Sequence, residues 1–91
     1  MISMQEAIRR RMEPLLREQD LSISELARRA ELSQSTVQDV AKGKSKNPSI
    51  QAVYQIACGF GMTLSEFTDD ALFLRIEKIP MKRNRTKGKG K

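Results

Sequence analysis

The sequence predicts an all-α fold built from short helices. Apolar residues recur at helical spacing through most of the chain, and residues that cap helices stand before several of these apolar segments. The clearest pattern runs from Leu21 to Gly43, where two short amphipathic segments are separated by only three residues. Two short helices joined by such a tight turn form a helix-turn-helix. The rest of the chain is interpreted around this motif.

The first helix of the motif begins after Ser22. The segment Ser22-Ile23-Ser24-Glu25 has the form of a capping box, in which the serine hydroxyl and the glutamate carboxylate each accept a bond from a free backbone N–H. An apolar stripe follows at Leu26, Ala27 and Ala30.

The second helix of the motif begins after the turn Glu31-Leu32-Ser33, with Ser33 as its N-cap. Val37 and Val40 are its apolar, inward-facing positions. Gly43 stands where the chain must turn into the left-handed region after the helix, a conformation that glycine adopts at little cost.

The outer face of the second helix carries polar residues near its N-terminus. Because Val37 and Val40 face inward, the residues left for this outer face are Gln34, Ser35, Gln38 and Asp39. Glutamine pairs bidentately with adenine and serine bonds several base edges. A recognition helix uses its N-terminal residues in this way. The alternative is that this is a solvated polar face.

The sequence resembles the lambda-repressor-like, Xre/Cro-type helix-turn-helix domain of bacterial and phage regulators. The resemblance covers roughly residues 4–70, and its most specific pieces, in order, are Leu26-Ala27, Leu32-Ser33-Gln34-Ser35-Thr36-Val37, Gly43-Lys44 followed by Asn47-Pro48-Ser49, and Gly61-Met62-Thr63-Leu64-Ser65-Glu66-Phe67. It implies a compact five-helix bundle with the helix Gln34–Lys42 in the major groove of double-stranded DNA. It also implies a transcriptional regulator, and favours a repressor over an activator.

Carried over residue by residue, the resemblance assigns two sets of contacts. The base-contacting positions fall on Gln34, Ser35, Gln38 and Asp39. The phosphate-contacting positions fall on Ser22, Ile23 through its backbone N–H, Thr36, Lys42, Lys44 and Lys46. Asp39 is unusual because a carboxylate repels phosphate, so orienting Lys42 or another neighbour is its alternative role. Glu31 stands where the family commonly has glycine, and a positive φ there would cost on the order of 1 kcal/mol.

Three further helices are expected. The first is Met4–Gln19, with Met4 on its inner face and a kink or a division into two segments at Pro14. Its three consecutive arginines, residues 9–11, are expected to be solvated, or one of them to reach a phosphate. Ser49 caps the fourth helix, Ile50–Phe60, whose inner stripe is formed by Ile50, Val53, Ile56, Ala57 and Phe60. Thr63-Leu64-Ser65-Glu66 is a second capping box and begins the fifth helix.

The net charge of +6 lies in one part of the chain. Residues 1–79 contain 11 basic and 11 acidic residues, so their charges balance. Residues 80–91 contain six basic residues and no acidic one, and we expect this basic tail to be disordered unless bound. The argument from charge to nucleic acid therefore applies to the tail.

Composition argues against most other functions. With no histidine and the single cysteine Cys58, we expect no metal site of the usual Cys/His kind, no internal disulfide and a reduced, cytoplasmic setting. Cys58 itself is expected to be a buried small hydrophobe. There is no candidate for catalysis, for a cofactor or for a small-molecule ligand, and no apolar run of membrane-spanning length. We therefore expect no enzyme and no membrane partner.

The expected organisation is a helix-turn-helix DNA-binding domain over residues 1–70, an apolar extension over 71–79 and the basic tail over 80–91. The extension Ala71–Ile79 fits a strand or a helix, and it either completes the core against the first helix or contributes to a homodimer. Two other functions stay open. One is an antitoxin that binds both DNA and a toxin protein through this extension. The other is a protein-interaction module that has lost DNA binding.

Overall fold

A computed structural model describes residues 1–45 and 47–76 of the chain. The five helices are α1 (Met4–Glu18), α2 (Ile23–Ala30), α3 (Gln34–Ala41), α4 (Ile50–Gly59) and α5 (Leu64–Thr68), followed by a short 3₁₀ helix at Ala71–Leu74. This confirms the all-α, five-helix bundle with a helix-turn-helix at its centre. The basic tail lies outside the described residues, as do residues 77–79 of the apolar extension.

One core joins all five helices. Its fully buried large side chains are Phe67, Met12, Leu26, Ile56 and Val37, and no polar or charged residue of the described chain is buried with them. Helix α2 packs closely on α4 at Gly59. A Cβ added at Gly59 would lie 2.8 Å from Leu26 Cδ1 and 3.3 Å from the Ala30 Cβ, so any larger residue here would force the buried Leu26 side chain to move.

Helix α1 is continuous through Pro14. The expected division into two segments is therefore wrong. Pro14 lacks the N–H that would bond to the Arg10 carbonyl, but the buried residues Met12 and Leu15 hold both sides of this turn against the core. Tertiary packing outweighs the local penalty of the proline.

Arg11 is part of the fold, which corrects the expectation that the arginines of α1 are solvated. Its guanidinium donates to the carbonyl of Phe67 at 2.7 Å and of Glu66 at 3.0 Å. It also lies 3.6 Å from a carboxylate oxygen of Asp70 and over the Phe67 ring. The positive charge therefore caps the C-terminal end of α5.

The segment after α5 packs on its own domain. Phe73 lies against the core and its ring is 6.2 Å from that of Phe67. The Ile2 N–H donates to the Arg75 carbonyl at 2.9 Å, and Ile2 and Ile76 form an isolated parallel bridge. Over residues 71–76 the extension therefore completes the monomer beside α1, although Leu74 is 88% exposed.

Three residues expected to be buried are not. Met4 and Ile50 are 50% and 71% exposed, and Cys58 is exposed as well. In α4 the predicted inward positions Val53, Ile56, Ala57 and Phe60 are buried, whereas Ile50, in the first turn, and Cys58 lie on the outer side. The helical pattern therefore identified α4 and its buried face correctly, but not the exposure of these two residues.

Candidate nucleic-acid interface

Each of the first four helices ends in a left-handed residue followed by the same pair of backbone bonds. The left-handed residues are Asp20 (φ 54°), Glu31 (φ 58°), Gly43 (φ 73°) and Gly61 (φ 76°). In each case the N–H of the left-handed residue donates to the carbonyl three residues earlier. The N–H of the next residue donates to the carbonyl five residues before itself, and this pair of bonds is the Schellman arrangement. The turn expected at Glu31 is thus confirmed, whereas the left-handed conformation of Asp20 was missed in the sequence.

The turn of the motif is fixed by these bonds. The Leu32 N–H donates to the Ala27 carbonyl at 3.0 Å, and the Gln55 amide donates to the carbonyls of Ala30 at 2.9 Å and Glu31 at 3.3 Å. A side chain from α4 therefore satisfies the carbonyls at the end of α2. The angle between α2 and α3 is held from both sides of the turn.

At the start of α2, Ser22 caps the helix by accepting a bond from the Glu25 N–H at 3.1 Å. The second half of the expected capping box does not form, because the Glu25 carboxylate pairs with Arg28 and Arg29 instead. Ile23 is the first residue of the helix, where a backbone N–H has no carbonyl partner within the helix. Both proposed phosphate contacts of α2 therefore lie at a helix N-terminus.

Helix α3 is anchored by Val37 and Val40, whose side chains are buried. Three of the four candidate base-contacting residues, Gln34, Ser35 and Asp39, are exposed, and Gln38 is half-buried. The outward polar face inferred from the sequence is present in the structure.

Three hydroxyl groups cluster at the N-terminus of α3. Ser33 Oγ accepts a bond from the Thr36 N–H at 3.2 Å and lies 2.7 Å from Thr36 Oγ1 and 3.4 Å from Ser35 Oγ. The cap thus orients Thr36, a candidate phosphate contact, and Ser35, a candidate base contact.

The loop after α3 is fastened to α1. The Gln5 amide donates to the Gly43 carbonyl at 3.5 Å, and the Arg9 side chain lies against Gly43. Lys42 and Lys44 are both exposed. The contact of Gln5 was not foreseen, since it joins residues 38 positions apart. Lys46, the third lysine of the loop, lies outside the described residues.

The second role considered for Asp39 is not seen. No ion pair joins its carboxylate to Lys42, and its backbone carbonyl instead accepts bonds from the N–H groups of Lys44 at 2.8 Å and Ser45 at 3.3 Å. Asp39 therefore shapes the lysine loop through its main chain.

Most cations of α1 and α2 are paired within the domain. Glu6 pairs with Arg9 and Arg10, and hydrogen bonds from these two guanidinium groups lower the pKa of the Glu6 carboxyl to about 2. Lys42 and Lys44, by contrast, form no ion pair with any carboxylate of the described residues. The loop after α3 is therefore the place where positive charge is available to an anionic partner.

Two solved structures share this arrangement. A transcriptional regulator of Vibrio cholerae matches with a TM-score of 0.68 and 23% identity over 77% of this chain. The chain spans only 39% of that regulator's length. Prophage Lp1 protein 11 matches with a TM-score of 0.66 and 30% identity, over 77% of this chain and 92% of that one. No curated protein is significantly similar to the chain in sequence.

None of the helices within the described part of the chain is long and apolar enough to cross a membrane. The helix-turn-helix family model HTH_3 matches residues 14–67, which include α2, the turn, α3 and α4. That match covers more than half of the chain and agrees with the geometry described above, so we conclude that the chain belongs to the helix-turn-helix family HTH_3.

Proposed function

We propose that this chain binds double-stranded DNA at specific sequences and acts as a transcriptional regulator, with α3 in the major groove. The observation that carries the proposal is the polar N-terminal face of α3. Gln34 and Ser35 are exposed there while the buried Val37 and Val40 hold the helix in place. Polar side chains on a rigid helix are what reading base edges requires.

The base-contacting residues in this proposal are Gln34, Ser35, Gln38 and Asp39. The phosphate-contacting residues are Ser22, Ile23, Thr36, Lys42, Lys44 and Lys46. Support comes from two helix N-termini with free N–H groups and from the lysines of the loop, since phosphate contacts use both and fix the register of the protein on DNA. The chain acts as a repressor in this proposal, and the support for this part is the resemblance of its sequence to the Xre/Cro-type regulators.

The experiment begins with selection of bound duplexes from a random library, which gives the preferred site. We expect Gln34→Ala to weaken binding to that site by about 1–3 kcal/mol and to relax the preference at one base pair. Gln51→Ala is the matched control, because Gln51 is an exposed glutamine on α4 outside the proposed groove contact. Equal losses on the preferred site and on random DNA would contradict base reading by Gln34.

The phosphate contacts are tested by the salt dependence of binding. We expect Lys44→Ala to weaken binding to all sequences alike and to lower the slope of log affinity against log salt by about 1. Arg17→Ala removes the same charge from an exposed position on α1 and should leave the slope almost unchanged. If both variants change the slope equally, net charge and not the loop governs binding.

A further inference from the structure

An apolar groove of about 200 Å³ lies between the N-terminal parts of α1 and α4 and the 3₁₀ helix. Its walls include Met4 and Ile8 of α1, Ile50 and Val53 of α4, and Phe73. Met4 and Ile50 are 50% and 71% exposed. Because an apolar cavity of about 150 Å³ accommodates benzene, this groove has room for an aliphatic side chain. We call it the α1–α4 groove.

The described chain ends at Ile76, close to the groove. Ile76 and Ile2 form a parallel bridge, so the residues after Ile76 leave in the same direction as the residues after Ile2. The chain after Ile2 leads directly into Met4, one wall of the groove. Phe73, another wall, shortly precedes Ile76. The chain that follows Ile76 is therefore directed towards the groove.

Ile79 is the first large apolar residue beyond Ile76. Three extended residues span about 10 Å, whereas the two residues from Ile2 to Met4 span about 7 Å at most. The chain after Ile76 is therefore long enough to bring Ile79 to the groove. Pro80 follows Ile79, and a residue before proline is restricted to extended conformations. The sequence thus favours an extended segment up to this residue.

We propose that Ile79 occupies the α1–α4 groove and thereby holds the basic tail, residues 80–91, beside the loop that follows α3. Burial of the Ile79 side chain removes apolar surface of Met4 and Ile50 from water. The occupant is a segment of the same chain, whose effective concentration at the groove is high because the segment that joins it to Ile76 is short.

Two contacts place the groove next to the loop after α3. Pro48, which ends that loop, is itself a wall of the groove. On the α1 side, the amide of Gln5 donates to the Gly43 carbonyl at 3.5 Å. A tail that begins directly after an occupant of the groove therefore begins beside the exposed Lys42 and Lys44.

The charge of the tail gives this placement a consequence for DNA binding. The tail contains six basic residues and no acidic one. Held beside Lys42 and Lys44, it extends the surface that phosphates contact, and it adds affinity for all sequences because phosphate contacts do not read bases. This consequence rests on the proposed function, whereas the occupation of the groove can be tested without DNA.

Disulfide formation within one chain tests the occupation of the groove. In a Cys58→Ser background, Ile50→Cys places one thiol on an exposed wall of the groove, and Ile79→Cys places the other on its occupant. Oxidised glutathione accepts the two electrons and two protons of these thiols, so that one disulfide forms and two reduced glutathione molecules are released. We expect a monomeric disulfide to form at least about ten times faster than in the control.

The control combines Ile79→Cys with Leu74→Cys in the same background, since Leu74 is 88% exposed and outside the groove. Leu74 is much nearer to Ile79 in sequence than Ile50 is, so proximity along the chain alone favours the control. If the pair with Ile50→Cys reacts no faster than this control, the inference is overturned. Covalent dimers in place of the monomeric disulfide would show that the groove takes a second copy, and would overturn it as well.

The placement of the tail is tested with DNA, at a temperature where circular dichroism shows every variant folded. Deletion of residues 80–91 is compared in the unmodified chain and in Ile79→Ser. We expect the deletion to reduce affinity for random duplex at least about threefold more in the unmodified chain, because the tail is held beside the loop only while Ile79 occupies the groove. Leu74→Ser is the matched control and should leave the effect of the deletion unchanged. Equal effects in all three backgrounds would overturn the placement of the tail.

The outcomes also separate this inference from the proposed function. A monomeric disulfide between positions 50 and 79 in a chain that prefers no duplex would overturn the function and leave Ile79 in the groove. Specific DNA binding without that disulfide would overturn the inference and leave the function standing.

Discussion

Replacing Glu31 by glycine should stabilise the domain. Glu31 has φ 58°, and an L-residue in this left-handed region carries a penalty of about 1–2 kcal/mol that glycine does not. Glycine in turn costs about 0.5–1 kcal/mol because it makes the unfolded chain more flexible. The bonds that Gln55 makes here go to backbone carbonyls, so the substitution keeps them. The expected net gain is about 0.5–1 kcal/mol.

Thermal unfolding followed by circular dichroism measures this gain. For a domain of this size it corresponds to a rise in Tm of about 2–8 °C. Glu31→Ala removes the same carboxylate but keeps the left-handed penalty, so its Tm should change little. Glu13→Gly makes the same substitution at an exposed position within α1, where the glycine should cost about 1 kcal/mol. If Glu31→Gly lowers the Tm as Glu13→Gly does, the backbone at position 31 is not strained.

Three further predictions concern packing, pH and the tail. Gly59→Ala should destabilise the domain by about 1–2 kcal/mol in denaturant unfolding, because the new Cβ would meet the buried Leu26. A variant as stable as the unmodified chain would contradict the close crossing of α2 and α4. Because the folded-state pKa of Glu6 is depressed to about 2, the stability it contributes should be present above its ordinary pKa and fall as pH drops from about 4.5 towards 2. The difference in stability between the unmodified chain and Glu6→Gln should therefore shrink over that interval, and a constant difference would contradict the pairing. Deleting residues 80–91 should leave Tm nearly unchanged and reduce affinity for random duplex, since these residues hold the excess charge; a large loss of Tm would show that they belong to the fold.

Local chemistry explains why much of the fold was predictable. Helix starts were visible because serine and threonine caps act within three residues, and Ser22, Ser33, Ser49 and Thr63 all cap as expected. The ends of α3 and α4 could be predicted because a glycine, Gly43 or Gly61, follows the C-cap residue of each helix in the sequence. The left-handed conformation of Asp20 was missed because no glycine marks the end of α1.

Long-range contacts were the part that local reasoning could not supply. Arg11 belongs to a run of three arginines whose members are indistinguishable in sequence, yet it alone reaches the carbonyls of α5, 55 and 56 residues away. Gln5 likewise supports the lysine loop from 38 residues away. Both contacts depend on how α1 lies against the rest of the bundle, which no spacing within α1 encodes.

The misplacement of Ile50 and Cys58 has a different physical cause. A helical period identifies a buried face only when the opposite face is polar, because the contrast between the two faces defines the direction. Helix α4 lacks that contrast, since it has no charged residue and apolar side chains occur on its inner and outer sides. The inward positions Val53, Ile56 and Ala57 were still predicted correctly, but the apolar character of Ile50 and Cys58 gave no sign that these two residues are exposed.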